Sequence, residues 1–205
     1  DNYSLGYFVN FKSDLYSASV EGFYRTSENQ VEYKDFASLF QNNHLETELL
    51  SGLGRSYGVE FLMKKNRGKW TGWVSYTYSR AFSKVDSEIP EERINQGEWF
   101  ASNYDRPHAA SLVLTKKIWP RSSFGITTTY ITGRPFSAID NYYLVNGAVI
   151  PNYSNRNEYR IPNYFRIDLS ATAGNVIRGI DDSLTFSLYN FLGRHNAYSV
   201  FYERY

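Results

Sequence analysis

The sequence predicts an all-β fold, an antiparallel section of a transmembrane β-barrel with about eight strands. Apolar and small polar residues alternate over segments of about ten residues, the length that a tilted strand needs to cross a membrane. The connections between segments are alternately short and long. The aromatic load is heavy, with 19 Tyr and 14 Phe. Because bacterial outer-membrane barrels place short turns at the periplasmic end and long loops outside, the rhythm predicts both architecture and orientation.

The first four segments carry large apolar or aromatic residues at every second position, as a strand with two different faces requires. The alternate positions hold mostly Ser, Thr, Gly and Glu. The apolar positions include Leu5 and Val9 in residues 2–12, Ala18 and Val20 in residues 16–25, Val59 and Phe61 in residues 56–64, and Val74 and Tyr76 in residues 70–79.

The last four segments follow the same rule with shorter runs. Each again alternates with Ser, Thr or Gly, apart from the charged pair in the seventh segment. The apolar positions include Leu112 and Leu114 in residues 110–115, Phe124 and Ile126 in residues 124–130, Ile167 and Leu169 in residues 165–172, and Leu184 and Phe186 in residues 184–189.

The connections fall into two classes that predict the two ends of the sheet. The short ones are Ser13–Asp14 and residues 65–68, 117–121 and 175–182, the last centred on Gly179. The long polar ones are residues 27–44, 83–104 and 135–163. We therefore expect the short turns at the periplasmic rim and the long loops at the external mouth.

The second face of the strands favours a hydrated lumen. It carries small neutral polar residues, with sparse charges at Glu60, Arg166 and Asp168. A soluble β-sandwich usually exposes many Lys and Glu on its outer face, but it remains an alternative.

Composition excludes several classes of protein. No run approaches the roughly 18 apolar residues of a transmembrane helix. The net charge of +1 and the absence of a basic cluster argue against nucleic-acid binding. The absence of Cys excludes disulfide frameworks, thiolate metal sites and Cys nucleophiles.

Catalytic and metal chemistry find no support in the motifs. Asp105, His108 and Ser111 lack a nucleophile elbow, and alternation places His108 and Ser111 on opposite faces of one strand. His44, His108 and His195 are far apart and lack metal spacing. We expect no enzyme activity, no metal and no cofactor.

Six motifs occur in an order that is more specific than any of them alone. They are GRSYGVEF at 54–61, WTGWVSYTYSR at 70–80, NYDRPH at 103–108, YITGRP at 130–135, RIPNYFRIDL at 160–169 and LYNF at 188–191. This series resembles the C-terminal barrel region of TonB-dependent outer-membrane receptors, particularly those of the Bacteroidetes type.

The resemblance implies a 22-stranded barrel filled by an N-terminal plug, with a segment that engages TonB. Neither plug nor TonB-binding segment is recognisable in the sequence, and the final strands also look absent. We therefore expect residues 1–205 to be a partial barrel. An eight-stranded barrel closing on itself is geometrically possible but disfavoured by the resemblance.

The implied function is active transport across the outer membrane of a Gram-negative cell. The cargo is a bulky nutrient such as an iron chelate, cobalamin, glycan or peptide. The implied partners are outer-membrane lipid, the TonB complex through the plug, and a surface lipoprotein. A smaller outer-membrane barrel acting as a pore or adhesin is an alternative.

Candidate functional residues fall into three groups. Asp105 and Arg106, where a long loop re-enters a strand, are expected to form a structural ion pair, and with Glu60, Arg166 and Asp168 they make up the structural or lumen group. Loop residues that could contact a ligand, or simply pack loop against loop, are Trp99, Phe100, Asn103, Tyr104, Tyr142, Tyr143, Tyr153, Arg156 and Tyr159. The expected membrane-interface aromatics are Trp70, Tyr76, Tyr78, Trp119 and Tyr130.

Overall fold

Strands dominate the computed structural model, which describes residues 1–38, 40, 42–177 and 180–201. The strands are β1 (Asn2–Phe11), β2 (Tyr16–Tyr33), β3 (Leu49–Lys65), β4 (Trp70–Lys84), β5 (Phe100–Ala101), β6 (His108–Trp119), β7 (Ser122–Ile131), β8 (Pro135–Phe136), β9 (Ile139–Val145), β10 (Ala148–Tyr153), β11 (Tyr159–Arg160), β12 (Tyr164–Gly174) and β13 (Ser183–Leu188). Short 3₁₀ helices lie at Leu45–Glu48, Pro90–Glu92 and Asn95–Gly97. No helix among the described residues is both long and apolar enough to cross a membrane.

Eight long strands form one antiparallel sheet in the order β1-β2-β3-β4-β6-β7-β12-β13. Each pairs with its neighbour along the chain, as the alternating connections predict. The all-β class and the eight predicted strands are confirmed. β1 and β13 remain the two edges, so the sheet is open, and the described residues form neither an eight-stranded closed barrel nor a two-sheet sandwich.

The two faces of the sheet keep their character across all eight strands. The register aligns Leu5 with Gly22, Gly22 with Val59 and Val59 with Tyr78. Farther on, it aligns Val74 with Leu112. Because side chains alternate along each strand, this pairing gathers the apolar positions on one continuous surface and the Ser, Thr and Gly positions on the other.

The apolar surface is exposed rather than packed into a core. Leu5 is 84% exposed, and Phe186 is 68% exposed. A water-soluble domain seldom exposes so large a contiguous apolar surface, whereas hydrocarbon lipid covers such a surface on a membrane barrel. The buried apolar cluster of the described residues lies in the external part of the chain, at Leu50, Val85, Ile94 and Phe100.

Several strands are longer than predicted, and β2 and β4 extend into the predicted long loops. The stretch from Ser27 to Tyr33, predicted as loop, continues β2 and pairs with the start of β3, and Ser83–Lys84 continue β4. Next to the long loops, both faces of these strands lie against loops or solvent, so polar residues can continue the ladder without alternation. A bulge between Ser27 and Gln30 marks this transition.

The long connections also contain structure that the sequence did not predict. Residues 135–163 hold the hairpin β9–β10 and the short pair β8–β11. The hairpin turns at Asn146 and Gly147, which both have positive φ angles of 51° and 80°. Such a turn matches the right-handed twist of the paired strands.

The short turns cluster at the opposite end and are tied to one another. Arg67 donates to the Ser13 carbonyl oxygen, and the Asn66 side chain donates to the Asp14 carbonyl oxygen at 3.0 Å. The predicted turn residue Gly179 lies outside the described residues.

Candidate functional site

The long loops are joined by a buried carboxylate. Asp105 is 1% exposed and accepts hydrogen bonds from the Ala81 backbone N–H at 2.7 Å and from Arg80 Nε at 3.2 Å. Arg160 contacts its second oxygen, and Arg160 Nη1 donates to the Asp105 and Gly133 carbonyl oxygens. Two guanidiniums offset the cost of burying this charge.

The ion pairs at Asp105 differ from the sequence-based picture in their partners. Arg80 at the end of β4 and Arg160 on β11 are the cations, while the neighbouring Arg106 side chain is exposed. The missed signal was Arg80 itself. Alternation from Tyr76 and Tyr78 places it on the same face as these tyrosines, where a cation among apolar side chains requires a partner.

Arg156 is a second junction and links three loops. Its guanidinium contacts the Asp35 carboxylate at 3.0 and 2.5 Å and donates to the Tyr33 carbonyl oxygen at 2.7 Å. Its backbone N–H and C=O pair with the side-chain amide of Asn95. The sequence predicts Arg156 as a possible ligand contact, but these bonds use most of its donors.

The two loop aromatics at the entrance to β5 have different environments. Phe100 is 5% exposed within the loop cluster, so its ring is covered by protein and cannot contact a ligand directly. Trp99 lies under the guanidinium of Arg55, which is 4.2 Å from its ring centroid. The sequence around an aromatic residue in a polar stretch does not indicate whether its ring is buried in the loop cluster or stacks against a cation.

A cavity of about 800 Å³ opens near the external ends of β6, β7 and β12. Ile131 and Tyr164 line it and pair in register, on the face opposite Tyr130 and Phe165. The cavity therefore opens on the polar, lumen-side surface. The polar and aromatic side chains in its lining are Asn103, Tyr104, Arg106, Thr132, Arg134, Phe136, Ser137, Asn157, Tyr164 and Tyr198.

This cavity has a positive character. Arg106 and Arg134 contribute guanidiniums, and no Asp or Glu is among the described residues that line it. The Tyr104 side chain, 86% exposed, stands at its edge. Asn157 fixes the floor, since its side-chain amide donates to the Ala101 carbonyl oxygen at 2.7 Å and to Asn103 Oδ1 at 2.9 Å.

The remaining candidate tyrosines lie farther along the same loop. Tyr142 and Tyr143 are exposed on β9, and neither lines the 800 Å³ cavity. The Tyr153 ring packs edge-on against Phe36 at 5.6 Å. The Tyr159 hydroxyl donates to Asp140 at 3.2 Å. The structure thus brings Asn103 and Tyr104 to the cavity and leaves these four tyrosines apart from it.

The lumen-side charges lie lower on the sheet. Glu60 is directly opposite Glu21 in the pairing of β2 with β3. Arg166 Nε lies 3.0 Å from Asp168, and its guanidinium covers the Tyr189 ring at 4.1 Å. Asp168 accepts from the Asn190 backbone N–H at 2.9 Å, which secures the chain after β13.

The predicted interface aromatics form two rows on the apolar surface. Trp70 and Trp119 lie near the short turns, while Tyr76, Tyr78 and Tyr130 lie toward the external ends. Trp70 and Tyr78 are eight residues apart, which corresponds to about 20 Å along the membrane normal for a strand tilted near 40°. That separation suits two girdles around an apolar band about 25 Å tall.

A β-bulge decides the position of Trp119. The register of β6 with β7 shifts between Lys117 and Trp119, and Trp119 then pairs with Ser122. Strict alternation from Leu114 and Lys116 would direct Trp119 to the lumen side. The extra residue Ile118 returns it to the apolar surface, where it is 69% exposed.

Comparison with known proteins agrees with this architecture. The family model for TonB dependent receptor-like β-barrels matches residues 1–191. No curated protein matches the chain by sequence.

Among solved structures, the chain is similar to the ferripyoverdine receptor of the outer membrane of Pseudomonas aeruginosa bound to ferripyoverdine, with a TM-score of 0.62 and 14% identity. The match covers 94% of this chain and 23% of that receptor, so the chain spans less than a quarter of its length. At this identity the likeness concerns the fold. Together with the family match and the two-faced sheet, it shows that the chain belongs to the TonB-dependent receptor family, as part of its outer-membrane β-barrel.

Proposed function

We propose that the chain forms part of the wall and external mouth of a receptor that imports a bulky nutrient with TonB-coupled energy. The observation that carries this proposal is the open cavity of about 800 Å³ on the lumen side, bordered by loops that buried ion pairs hold together. Its size lies in the range of small-ligand sites. A pre-organised mouth lowers the entropy cost of capturing a scarce ligand.

The cavity charge favours an anionic cargo among the nutrient classes considered. Arg106 and Arg134 can each donate two parallel hydrogen bonds to carboxylate, phosphate or similar oxygens. Tyr104 and Tyr164 add aromatic surface and hydroxyl groups. Anionic iron chelates and cobalamin phosphates fit this chemistry better than neutral glycans.

Energy coupling involves parts of the receptor other than these strands. We propose that a plug fills the lumen beside Glu21 and Glu60 and that TonB engages the plug. A surface lipoprotein partner is also proposed, and the exposed apolar side chains of the β9–β10 hairpin, such as Leu144 and Val145, support it. Association of the hairpin-deleted receptor with the same lipoprotein would reject that hairpin as the contact.

Ligand binding by the full-length receptor tests the proposal. The probes are a ferric chelate with free carboxylates, cyanocobalamin, a neutral oligosaccharide and an uncharged peptide. We expect the two probes that present anionic oxygens, the ferric chelate with its carboxylates and cyanocobalamin with its phosphodiester, to bind. The double variant Arg106→Ala with Arg134→Ala should weaken that binding by at least about tenfold, or 1.4 kcal/mol.

Arg67→Ala is the matched control, because it removes an exposed guanidinium at the opposite, short-turn end. Uptake into cells should disappear when TonB is deleted. Uptake that persists without TonB rejects the transport mechanism, and preferential binding of the neutral probes rejects the assignment of an anionic cargo.

A further inference from the structure

A glycine, Gly22, interrupts the apolar surface between bulky side chains of the two neighbouring strands. Gly22 lies between Leu5 and Val59 in register, and the next row toward the external end aligns Tyr3, Tyr24 and Tyr57. A Cβ atom built on Gly22 would find its nearest neighbour, the Gly58 carbonyl oxygen, 4.0 Å away. The bare backbone at Gly22 therefore forms the floor of a gap in the outer surface.

This gap is a shallow, wide-open groove of about 560 Å³. Its walls include Leu5, Val59 and Tyr78, with the tyrosine row at one end, and none of the described lining residues is charged. Leu5 and Tyr3 are among its most exposed members. The groove is continuous with the apolar surface that spans the eight strands.

We propose that the groove binds an acyl chain of an outer-membrane lipid at a defined position, with the tyrosine hydroxyls facing the lipid head group. This inference rests on the membrane orientation in the proposed function. The absence of charge among the lining residues disfavours a peptide or a soluble anion. Tyrosine rings suit the boundary between hydrocarbon and head groups, which matches their place at the external end of the groove.

Photolabelling of the full-length receptor tests the site. The receptor is reconstituted in phosphatidylethanolamine vesicles containing a small fraction of phosphatidylethanolamine with a diazirine on its acyl chain. Labelled peptides are then quantified by mass spectrometry. We expect labelling around Gly22 and Val59 to exceed that around Leu112 on the same face by about fourfold, the occupancy change that one additional buried methylene produces.

Filling the groove should abolish the difference. Gly22→Leu has open space for its side chain and should reduce labelling there to the level at Leu112. Ala18→Leu adds the same apolar bulk to the same face of β2, four residues away, and should leave the labelling unchanged. Heat-modifiable mobility on gels reports whether each variant is folded, and Gly22→Val serves as the second groove-filling variant.

Uniform labelling along the apolar surface, or unchanged labelling in folded Gly22→Leu and Gly22→Val, overturns the proposal. Ligand uptake is measured in parallel. Loss of TonB-dependent uptake with site-specific labelling intact rejects the transport proposal and leaves the lipid site standing.

Discussion

At the scale of single residues, the external mouth depends on charges that are removed from water. Asp105 has a fully buried side chain, while its partners Arg80 and Arg160 are about a quarter exposed. By contrast, Asp181 is almost entirely exposed beside Arg121 at a short turn. The same kind of ion pair therefore contributes a different free energy of stabilisation at the two ends of the sheet.

Asp105→Asn should loosen the loops without unfolding the sheet. The amide oxygen can still accept from Ala81, but the two guanidiniums lose their counter-charge. We expect a loss of about 2–4 kcal/mol in local opening free energy, less than that of a fully buried pair because both arginines reach solvent. Hydrogen exchange of residues 100–106 should accelerate at least about tenfold.

Asp181→Asn is the control for that prediction and should change local exchange by less than about 1 kcal/mol. Equal effects of the two substitutions would contradict the structural role assigned to Asp105. An effect confined to the strands, with the loops unchanged, would contradict it too.

At the scale of the elements, close strand packing depends on glycines of the lumen face. A Cβ atom at Gly58 would lie 2.4 Å from the Tyr78 carbonyl oxygen and 2.9 Å from the Phe23 ring. The Phe23 ring thus covers the glycine from the neighbouring strand, an arrangement that helps to fix register. At Gly6, the same construction meets Glu21 atoms at 3.6 Å, an ordinary contact.

Gly58→Ala should therefore impair pairing of β3 with β4, whereas Gly6→Ala should be tolerated. Overpacking of this kind typically costs about 1–3 kcal/mol. The yield of heat-modifiable receptor in outer membranes and its unfolding midpoint in guanidinium are the measurements. A Gly58→Ala variant that matches the wild type in both measurements, or a Gly6→Ala variant that is equally harmful, would contradict the steric role of Gly58.

At the scale of the whole molecule, the lumen presents carboxylates that the sheet does not neutralise. Glu21 and Glu60 are directly opposite on β2 and β3, and neither forms an ion pair within the described part of the chain. Directly opposed like charges destabilise a sheet by a few tenths of a kcal/mol or more. Such a pair is expected to meet cationic groups of the plug.

Glu60→Gln distinguishes two expected effects of the Glu21–Glu60 pair, the repulsion within the sheet and the contact with the plug. It should raise the stability of a plug-deleted barrel by about 0.5 kcal/mol, since one repulsive charge disappears. In the intact receptor it should make the plug more accessible to protease. Glu98→Gln in an external loop is the control and should alter neither property. Destabilisation of the plug-deleted barrel would contradict the repulsion, and an unchanged plug would contradict the contact.

The sequence predicts only some of the residues that line the cavity. Asn103 and Tyr104 were selected from a loop motif and do line the cavity, but Phe100 from the same stretch is buried. Arg134 also lines the cavity, although its place in the motif at 130–135 carries no sign of a ligand contact. Burial in a loop depends on residues distant in the chain, and composition within the loop carries no sign of it.

The sequence by itself determined the eight strands, the two faces and the short-long order of connections. These are properties of period two and of turn length, which are set locally by each segment. Only the tertiary structure decided the partners of Asp105 and Arg156, which come from 24 to 123 residues away in the chain. It also decided the face of Trp119, because a one-residue bulge reverses every side chain beyond it.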